Sequence, residues 1–141
     1  MITTLEKTEV NHKGGWCPHN VGVFCQEGYC SECDIPDKKT VVYVAGAFRA
    51  KTQWGIMQNV RKAEDASLKL WKQGYVVICP HTMTQYFQDE CPDEVWLEGC
   101  IELLKRCDAI YMVDGWENSE GSREELRIAR ELGLTVMENN L

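Results

Sequence analysis

Short apolar runs alternate with helical repeats of apolar residues along the chain from residue 40 onwards. The run Val-Val-Tyr-Val-Ala at 41–45 is β-branched and aromatic and stops at Gly46, which predicts a buried strand. Similar runs at 75–79, 109–113 and 134–137 predict three more strands. Between the strands, apolar residues recur at helical spacing in residues 52–72, 97–107 and 121–132, which predicts three helices.

The resulting order βαβαβαβ is typical of a parallel sheet wrapped by helices with right-handed crossovers. We therefore predict an α/β fold: a small, doubly wound, flavodoxin-like or Rossmann-like parallel sheet of about four to five strands. Ligands of such sheets bind at the carboxyl ends of the strands, beside a switch in strand order. This places the candidate site in the loops at residues 46–51, 79–84 and 114–122.

Residues 1–40 show neither the helical repeat nor the strand repeat of apolar residues, and they are rich in Gly, Cys, Asn and charged residues. Half of the eight cysteines fall in this segment, namely Cys17, Cys25, Cys30 and Cys33. A structural zinc ion held by four thiolates would fold a segment that is too short and too polar to fold by burial, with His12 and His19 as alternative ligands. A loosely ordered arm of reduced cysteines and a disulfide pair are the alternatives. We predict a cysteine-rich, zinc-binding segment at 1–40 and an α/β domain at 41–141.

Composition and charge narrow the class of protein. With 141 residues, 44% hydrophobic and 26% charged, the chain has enough apolar residues for one compact domain with a small appendage. The net charge of −7 disfavours a nucleic-acid partner, because such a chain repels phosphate backbones. No run approaches the ~20 apolar residues of a membrane helix, and the N-terminus lacks an apolar signal region. These features predict a cytoplasmic protein with no membrane partner.

The loop after the third predicted strand carries the candidate chemistry, because it leads directly into a helix that contains Glu125. A carboxylate there feels the positive end of the helix, which predicts that Glu125 is ionised at neutral pH and suits a nucleophile better than a proton donor. The alternative is a helix capping box formed by Ser122 and Glu125. Tyr43, at the end of the first strand, and Arg49 should face the same crevice, and this favours the functional interpretation.

Over residues 41–138 the chain resembles the nucleoside 2-deoxyribosyltransferase superfamily, which includes the deoxynucleoside 5′-monophosphate N-glycosidases. The resemblance is closest to the phage and bacterial branch of uncharacterised domains (DUF4406). The motifs that carry it follow one another in the family's order: Tyr43-Val44-Ala45-Gly46, then Cys107-Asp108-Ala109, then Ser119-x-Gly121-x-x-x-Glu125-x-x-x-Ala129.

This resemblance implies that Glu125 attacks the anomeric carbon of a 2-deoxyribosyl group and releases the base. The covalent sugar–enzyme intermediate then passes to another base, as in a transferase, or to water, as in a hydrolase. Tyr43 is implied to orient Glu125, and no metal or redox cofactor is needed for catalysis. The implied partners are a small-molecule deoxynucleoside or deoxynucleotide and a second copy of the chain, in a homodimer or higher homo-oligomer.

Several further residues are candidates for binding substrate. Ser119 stands where family members that act on free nucleosides tend to carry Asp, so the resemblance favours a monophosphate. Arg49 and Lys51 are candidate phosphate ligands, with an ordinary solvated loop as the alternative. Ser122 and the N–H groups of residues 121–123 are expected to add an anion site at the helix start. Gly46 and Gly121, from the matched motifs, are expected to line the same crevice.

Cys100 is a departure from the family's pattern, because it stands where the family commonly places an Asp that handles the proton of the departing base. A thiol is a poor general acid at neutral pH, so a non-catalytic nucleotide-binding or sensing protein on the same fold is the alternative function. His81 is a candidate for base contact or for the missing proton donor, with a structural loop histidine as the alternative.

Trp116 is the candidate ring wall of the site, since it lies in the loop before Glu125. The other tryptophans considered, Trp54, Trp71 and Trp96, are expected to pack in the interior. Glu98 and Glu102 are expected on a solvated helix face, with Glu102 paired to Arg106.

Overall fold

A computed structural model describes residues 39–138 and two short strands nearer the N-terminus. The chain divides into two units, Met1–Lys38 and Lys39–Leu141. In the first unit, β1 (Gly15–Trp16) pairs antiparallel with β2 (Phe24–Cys25). Cys17, Cys30, Cys33, His12, His19 and the side chain of Cys25 lie outside the described residues. The zinc site stays a prediction, which a metal assay of the purified protein would test.

The second unit alternates strands and helices as the sequence predicts. Its elements are β3 (Val41–Ala45), α1 (Gln53–Lys72), β4 (Val76–Ile78), α2 (Pro80–Met83), α3 (Asp93–Lys105), β5 (Ala109–Met112), a 3-10 helix (Trp116–Asn118), α4 (Glu120–Glu131) and β6 (Thr135–Glu138). The four strands within residues 39–138 are all parallel, in the order β4-β3-β5-β6. This confirms the predicted doubly wound α/β fold. Element boundaries differ from the predicted ones by at most two residues, except that α3 begins four residues before the apolar repeat at 97–107. The short helix α2, in place of a loop, is not predicted by the sequence.

Two apolar cores lie on opposite faces of this sheet, because successive residues of a strand point to opposite sides. The first, which we call the α1-side core, is formed by Val42, Val44, Ala63, Ala66, Leu70, Cys79, Ala109, Tyr111 and Val113. The second, the α3/α4-side core, is formed by Tyr43, Ala45, Leu104, Cys107, Ile110, Met112, Leu126 and Ala129. Tyr43 is therefore placed on the side of the sheet that α4 covers.

The buried face of α1 differs from the predicted one. The helix buries Val60, Ala63, Ala66 and Leu70. Leu68 and Trp71 belong to the apolar repeat that predicts this helix, but they are 54% and 52% exposed, so the prediction that Trp71 packs in the interior is wrong. At about 100° per residue, Leu68 falls nearly opposite the centre of the buried stripe and Trp71 falls on its flank. The small Ala66 is buried in the α1-side core instead.

The remaining tryptophan predictions have mixed outcomes. Trp54, in the first turn of α1, is 65% exposed, so the prediction that it packs in the interior is wrong. Trp96 is partly buried and its ring contacts that of Phe87, with 6.1 Å between ring centroids. In α3, Glu102 pairs with Lys105 at 2.7 Å rather than with Arg106, because Arg106 lies past the last helical residue.

The amino ends of β3 and β5 are tied by Asp108. The Val41 N–H donates to Asp108 Oδ2 at 2.9 Å, and the Asp108 N–H donates to the Val41 carbonyl at 2.9 Å. Strand order reverses between these two neighbouring strands, so the ligand crevice of the fold is expected at their opposite, carboxyl ends. No helix in the described part of the chain has the length and apolarity to cross a membrane.

Candidate active site

The carboxyl of Glu125 meets the phenol of Tyr43 near the carboxyl end of β3. Tyr43 Oη donates to Glu125 Oε1 at 2.6 Å. Tyr43 lies on the central strand β3 and is 1% exposed, whereas Glu125 lies in the second turn of α4 and is partly exposed. The sheet and the helix thus fix the carboxyl of a residue that is not fully buried.

Burial raises the pKa of Glu125 to about 7, against the opposing effect of the hydrogen bond from Tyr43. The expectation that Glu125 is fully ionised at neutral pH is therefore wrong. Its desolvation among α3, α4 and β3 outweighs the helix N-terminus, whose effect falls off within the first turn. Burial, followed by the nearby Glu125 carboxyl, raises the pKa of Tyr43, so its phenol stays protonated and acts as the donor.

The start of α4 is capped by Ser119, not by Ser122. Ser119 Oγ accepts from the Ser122 N–H at 3.3 Å, and the Ser119 carbonyl accepts from the Arg123 N–H at 3.1 Å. The helix begins one residue earlier than predicted, so Glu125 is too far along it for a capping box and bonds to Tyr43 instead. The capping-box alternative is wrong.

The hydrogen bonds at this helix start do not favour the predicted anion site, which stays a prediction. Two of its three N–H groups, those of Ser122 and Arg123, already have partners in Ser119. Ser122 itself is 1% exposed, and its hydroxyl has no hydrogen-bond partner within residues 39–138. Neither Ser119 nor Ser122 therefore offers both an accessible, unpaired hydroxyl and an unpaired backbone N–H to a ligand.

Of the two candidate glycines of the crevice, Gly46 permits a close approach of chain segments, whereas Gly121 does not require one. A Cβ on Gly46 would lie 2.8 Å from the Val113 Cβ, so only glycine lets the ends of β3 and β5 come together without a shift. A Cβ on Gly121 would lie 3.9 Å from Leu97 Cδ2, which is ordinary contact and shows that the start of α4 adjoins α3.

The loop at 46–51, which follows β3, is fastened by His81 and Asn59. His81 Nε2 lies 3.1 Å from the Ala47 carbonyl, and its ring meets that of Phe48 edge-on at 5.6 Å. Asn59 Nδ2 donates to the carbonyls of Phe48 and Arg49 at 3.1 and 3.3 Å. Burial lowers the pKa of His81, against its backbone hydrogen bonds. This geometry supports the structural alternative for His81 and not a proton donor.

Arg49, the predicted phosphate ligand, forms an ion pair with Asp93 at the start of α3. The two side chains are 74% and 56% exposed, so the pair lies on the rim of the domain. Lys51 is exposed in the same loop. Within the loop at 46–51, the predicted phosphate ligand Arg49 is therefore paired with a carboxylate, whereas Lys51 is exposed.

Cys100 lies on α3 beside the Tyr43–Glu125 pair. It packs against the α3/α4-side core and interacts with both Tyr43 and Glu125. Burial is the largest effect and raises the pKa of its thiol, with Glu125 adding to the rise and Tyr43 opposing it. A neutral thiol therefore occupies the place where the resemblance implies an acid.

Comparison with known proteins agrees with this architecture. Residues 40–138 match the family described as Domain of unknown function (DUF4406). The chain belongs to the DUF4406 family. The structure of this DUF4406 protein is similar to that of a 2-deoxyribosyltransferase from the psychrotolerant bacterium Bacillus psychrosaccharolyticus, with a TM-score of 0.52 and 21% identity over 70% of this chain and 71% of that chain. No curated protein matches the chain. The nucleoside 2-deoxyribosyltransferase-like fold predicted from the motifs is confirmed.

Trp116 of the DUF4406 domain lies in the 3-10 helix between β5 and α4. It follows Gly115, whose φ of 87° turns the chain after β5, and it packs against the α3/α4-side core. It lines a groove along α4 with Arg123, Leu126 and Arg127, and Glu125 is not among the residues that line this groove. The ring wall predicted for the substrate site is therefore not supported.

Two residues near the crevice, Asn59 and Asp93, are not predicted from the sequence. Asn59 stands at a helical position that a pattern of apolar residues passes over, and Asp93 resembles any acidic residue in the first turn of a helix. The signal for Asn59 was a polar amide next to the buried Val60, on a helix that follows the candidate loop. Nothing in the local sequence links Asp93 to Arg49.

Proposed function

We propose that this DUF4406 protein is a nucleoside 2-deoxyribosyltransferase-like enzyme, which cleaves or transfers the N-glycosidic bond of a 2′-deoxynucleoside or its 5′-monophosphate. The observation that carries this proposal is the 2.6 Å hydrogen bond from Tyr43 to Glu125, at the switch point of the sheet. A desolvated carboxyl that is aligned by a buried phenol, on a residue that is not fully buried, is suited to nucleophilic attack.

In the proposed reaction, the ionised carboxylate of Glu125 forms a bond to the anomeric carbon as the bond to the base breaks. The base leaves with the electron pair of that bond. Water or a second base then attacks the same carbon and gives up its proton to the departed base anion or to solvent, and Glu125 departs as a carboxylate. A 2-deoxy sugar favours these steps, because no 2-hydroxyl withdraws electrons from the oxocarbenium-like transition state. Side chains alone supply this chemistry, so the proposal involves no catalytic cofactor.

The fate of the proton on the leaving base depends on Cys100. With the pKa of its thiol raised, Cys100 is a weak acid at neutral pH. The base must then leave as an anion or take its proton from water, which predicts slow turnover. This observation also favours the second candidate function, a nucleotide-binding or sensing protein that does not turn its ligand over.

A panel of 2′-deoxynucleosides and their 5′-monophosphates tests the proposal, with the released base followed by chromatography. We expect wild-type protein to release base and Glu125→Gln to lose about a thousandfold or more of the rate. Glu124→Gln is the matched control, because Glu124 is the exposed neighbour and pairs only with Arg127 in the described structure. Saturable binding without any base release would instead support the nucleotide-binding function.

We also propose a homodimer or higher homo-oligomer, as the resemblance implies. Light scattering on the purified protein would give the number of chains. A monomer at the concentrations used for activity would contradict this part of the proposal.

A further inference from the structure

We infer that Asp93 determines specificity at the 5′ end of the substrate, by neutralising Arg49 and so favouring a neutral 5′-hydroxyl over a 5′-phosphate. This inference rests on the proposed function and names its substrate class, the 2′-deoxynucleosides. It runs against the prediction from the sequence, in which Ser119, Ser122, Arg49 and Lys51 favour a monophosphate.

Two of these predicted phosphate ligands, Ser119 and Arg49, already have partners in the structure, and a third, Ser122, is buried. The hydroxyl of Ser119 caps α4, and that of Ser122 is buried. The guanidinium of Arg49 pairs with the carboxylate of Asp93. Of the two candidate cations of the loop at 46–51, Arg49 is therefore already paired with an anion and Lys51 is exposed, in a chain whose net charge is −7.

The position of Asp93 on α3 places this ion pair at the mouth of the crevice. Asp93, Leu97, Cys100 and Leu104 are spaced four, three and four residues apart, which puts them on one face of the helix. Leu104 lies in the core, Cys100 lies beside the Tyr43–Glu125 pair, and Leu97 adjoins Gly121. The fourth member, Asp93, stands about 10 Å along the helix from Cys100, at a rise of 1.5 Å per residue.

The expected size of the effect follows from the exposure of the pair. Exposed ion pairs contribute at most about 1 kcal/mol, so a phosphate can displace Asp93 at modest cost. Removing the carboxylate both frees Arg49 and removes a like charge next to the phosphate. We expect this to favour the monophosphate about fivefold, and the difference should shrink in 1 M salt, where the Debye length is about 3 Å.

The test compares kcat/KM for a 2′-deoxynucleoside and its 5′-monophosphate in wild-type protein and Asp93→Asn. We expect the wild type to prefer the nucleoside, and Asp93→Asn to raise the ratio of kcat/KM for the monophosphate to kcat/KM for the nucleoside about fivefold. Glu94→Gln removes the adjacent exposed carboxylate of the same helical turn and should change neither value. Adding Arg49→Gln to Asp93→Asn should cancel the gain.

The inference is overturned if wild-type protein prefers the monophosphate, or if Asp93→Asn leaves the ratio unchanged. If no substrate releases base, the proposed function fails. The role of Asp93 is then tested separately, by measuring Tm with and without inorganic phosphate. Asp93→Asn should show a rise in Tm with millimolar phosphate that wild type and Glu94→Gln lack. An equal response of all three proteins would overturn the role of Asp93.

Discussion

The interior and the rim of the crevice are built in different ways. In the interior, Tyr43 and Glu125 are held by the central strand and by a helix packed on it, so the two regular elements set the 2.6 Å contact. On the rim, Arg49 is placed by side chains from other elements, Asn59 beneath its loop and Asp93 opposite it. The fold therefore positions the candidate catalytic pair through regular elements, whereas the rim is positioned by side-chain contacts of Asn59 and Asp93 with the loop at 46–51.

The sharpest test of the interior removes the phenol. Tyr43→Phe deletes the bond that orients Glu125 and lowers its pKa, so we expect kcat/KM to fall about a hundredfold and its acid limb to move to higher pH. Tyr111→Phe is the control, because Tyr111 is a buried tyrosine of the neighbouring strand that faces α1. Equal losses in both variants would mean that the effect is one of packing.

Gly46→Ala tests whether the two strand ends must touch. The new Cβ would lie 2.8 Å from the Val113 Cβ, and we expect a loss of about 2 kcal/mol in the free energy of unfolding. The same change at Gly99, which has nothing within 4 Å of an added Cβ and lies within α3, should stabilise by about 0.5 to 1 kcal/mol. Urea titration measures both. A neutral Gly46→Ala would contradict the close approach at the switch point.

Glu125→Gln tests the desolvation of the carboxyl through stability. The folded protein holds the pKa of Glu125 at about 7, above its ordinary value of 4.5, so the contribution of the protonated carboxyl is present below pH 4.5 and is lost as pH rises through 7. Gln cannot ionise. We therefore expect the variant to gain about 1 to 2 kcal/mol relative to wild type between pH 4.5 and pH 8, a value reduced for the partial exposure of the group. A difference that does not vary with pH would contradict the raised pKa.

The smallest expected effect belongs to the rim. Asn59→Ala removes the amide that donates to the carbonyls of Phe48 and Arg49, and we expect a loss of about 1 kcal/mol with faster hydrogen exchange in residues 46–51. Gln58→Ala, an exposed change on the same turn, should leave both unchanged. If the loop exchanges at its wild-type rate in Asn59→Ala, Asn59 does not position it.

The interior is also the part that sequence predicts best. The apolar run at 41–45 predicts β3, whose successive side chains point to opposite faces of the sheet. The pairing of Tyr43 with Glu125 is implied by the resemblance, and no periodic pattern in the sequence predicts it. The ionisation of Glu125 was predicted wrongly, because it depends on burial by three elements that the local sequence does not bring together. The apolar repeat of α1 does not predict its buried face correctly, because the large apolar Leu68 and Trp71 are exposed and the small Ala66 is buried.

The rim resists prediction for a related reason. Pairing of Arg49 with Asp93, and of His81 with Ala47, joins residues that are far apart in sequence and carry no periodic signal. The cap of α4 fell on Ser119 rather than Ser122, since either serine suits the position and packing of the helix makes the choice. Contacts of this kind become visible only when the strands have been set side by side.

The most direct test of the central claim is to look for the covalent intermediate on Glu125. Wild-type protein mixed with a 2′-deoxynucleoside, quenched within a turnover and digested, should yield a peptide that contains Glu125 and is heavier by one 2-deoxyribosyl group. Glu125→Gln should yield none, and Glu124→Gln should match wild type. An adduct on a different residue, or base release by Glu125→Gln at the wild-type rate, would contradict the account.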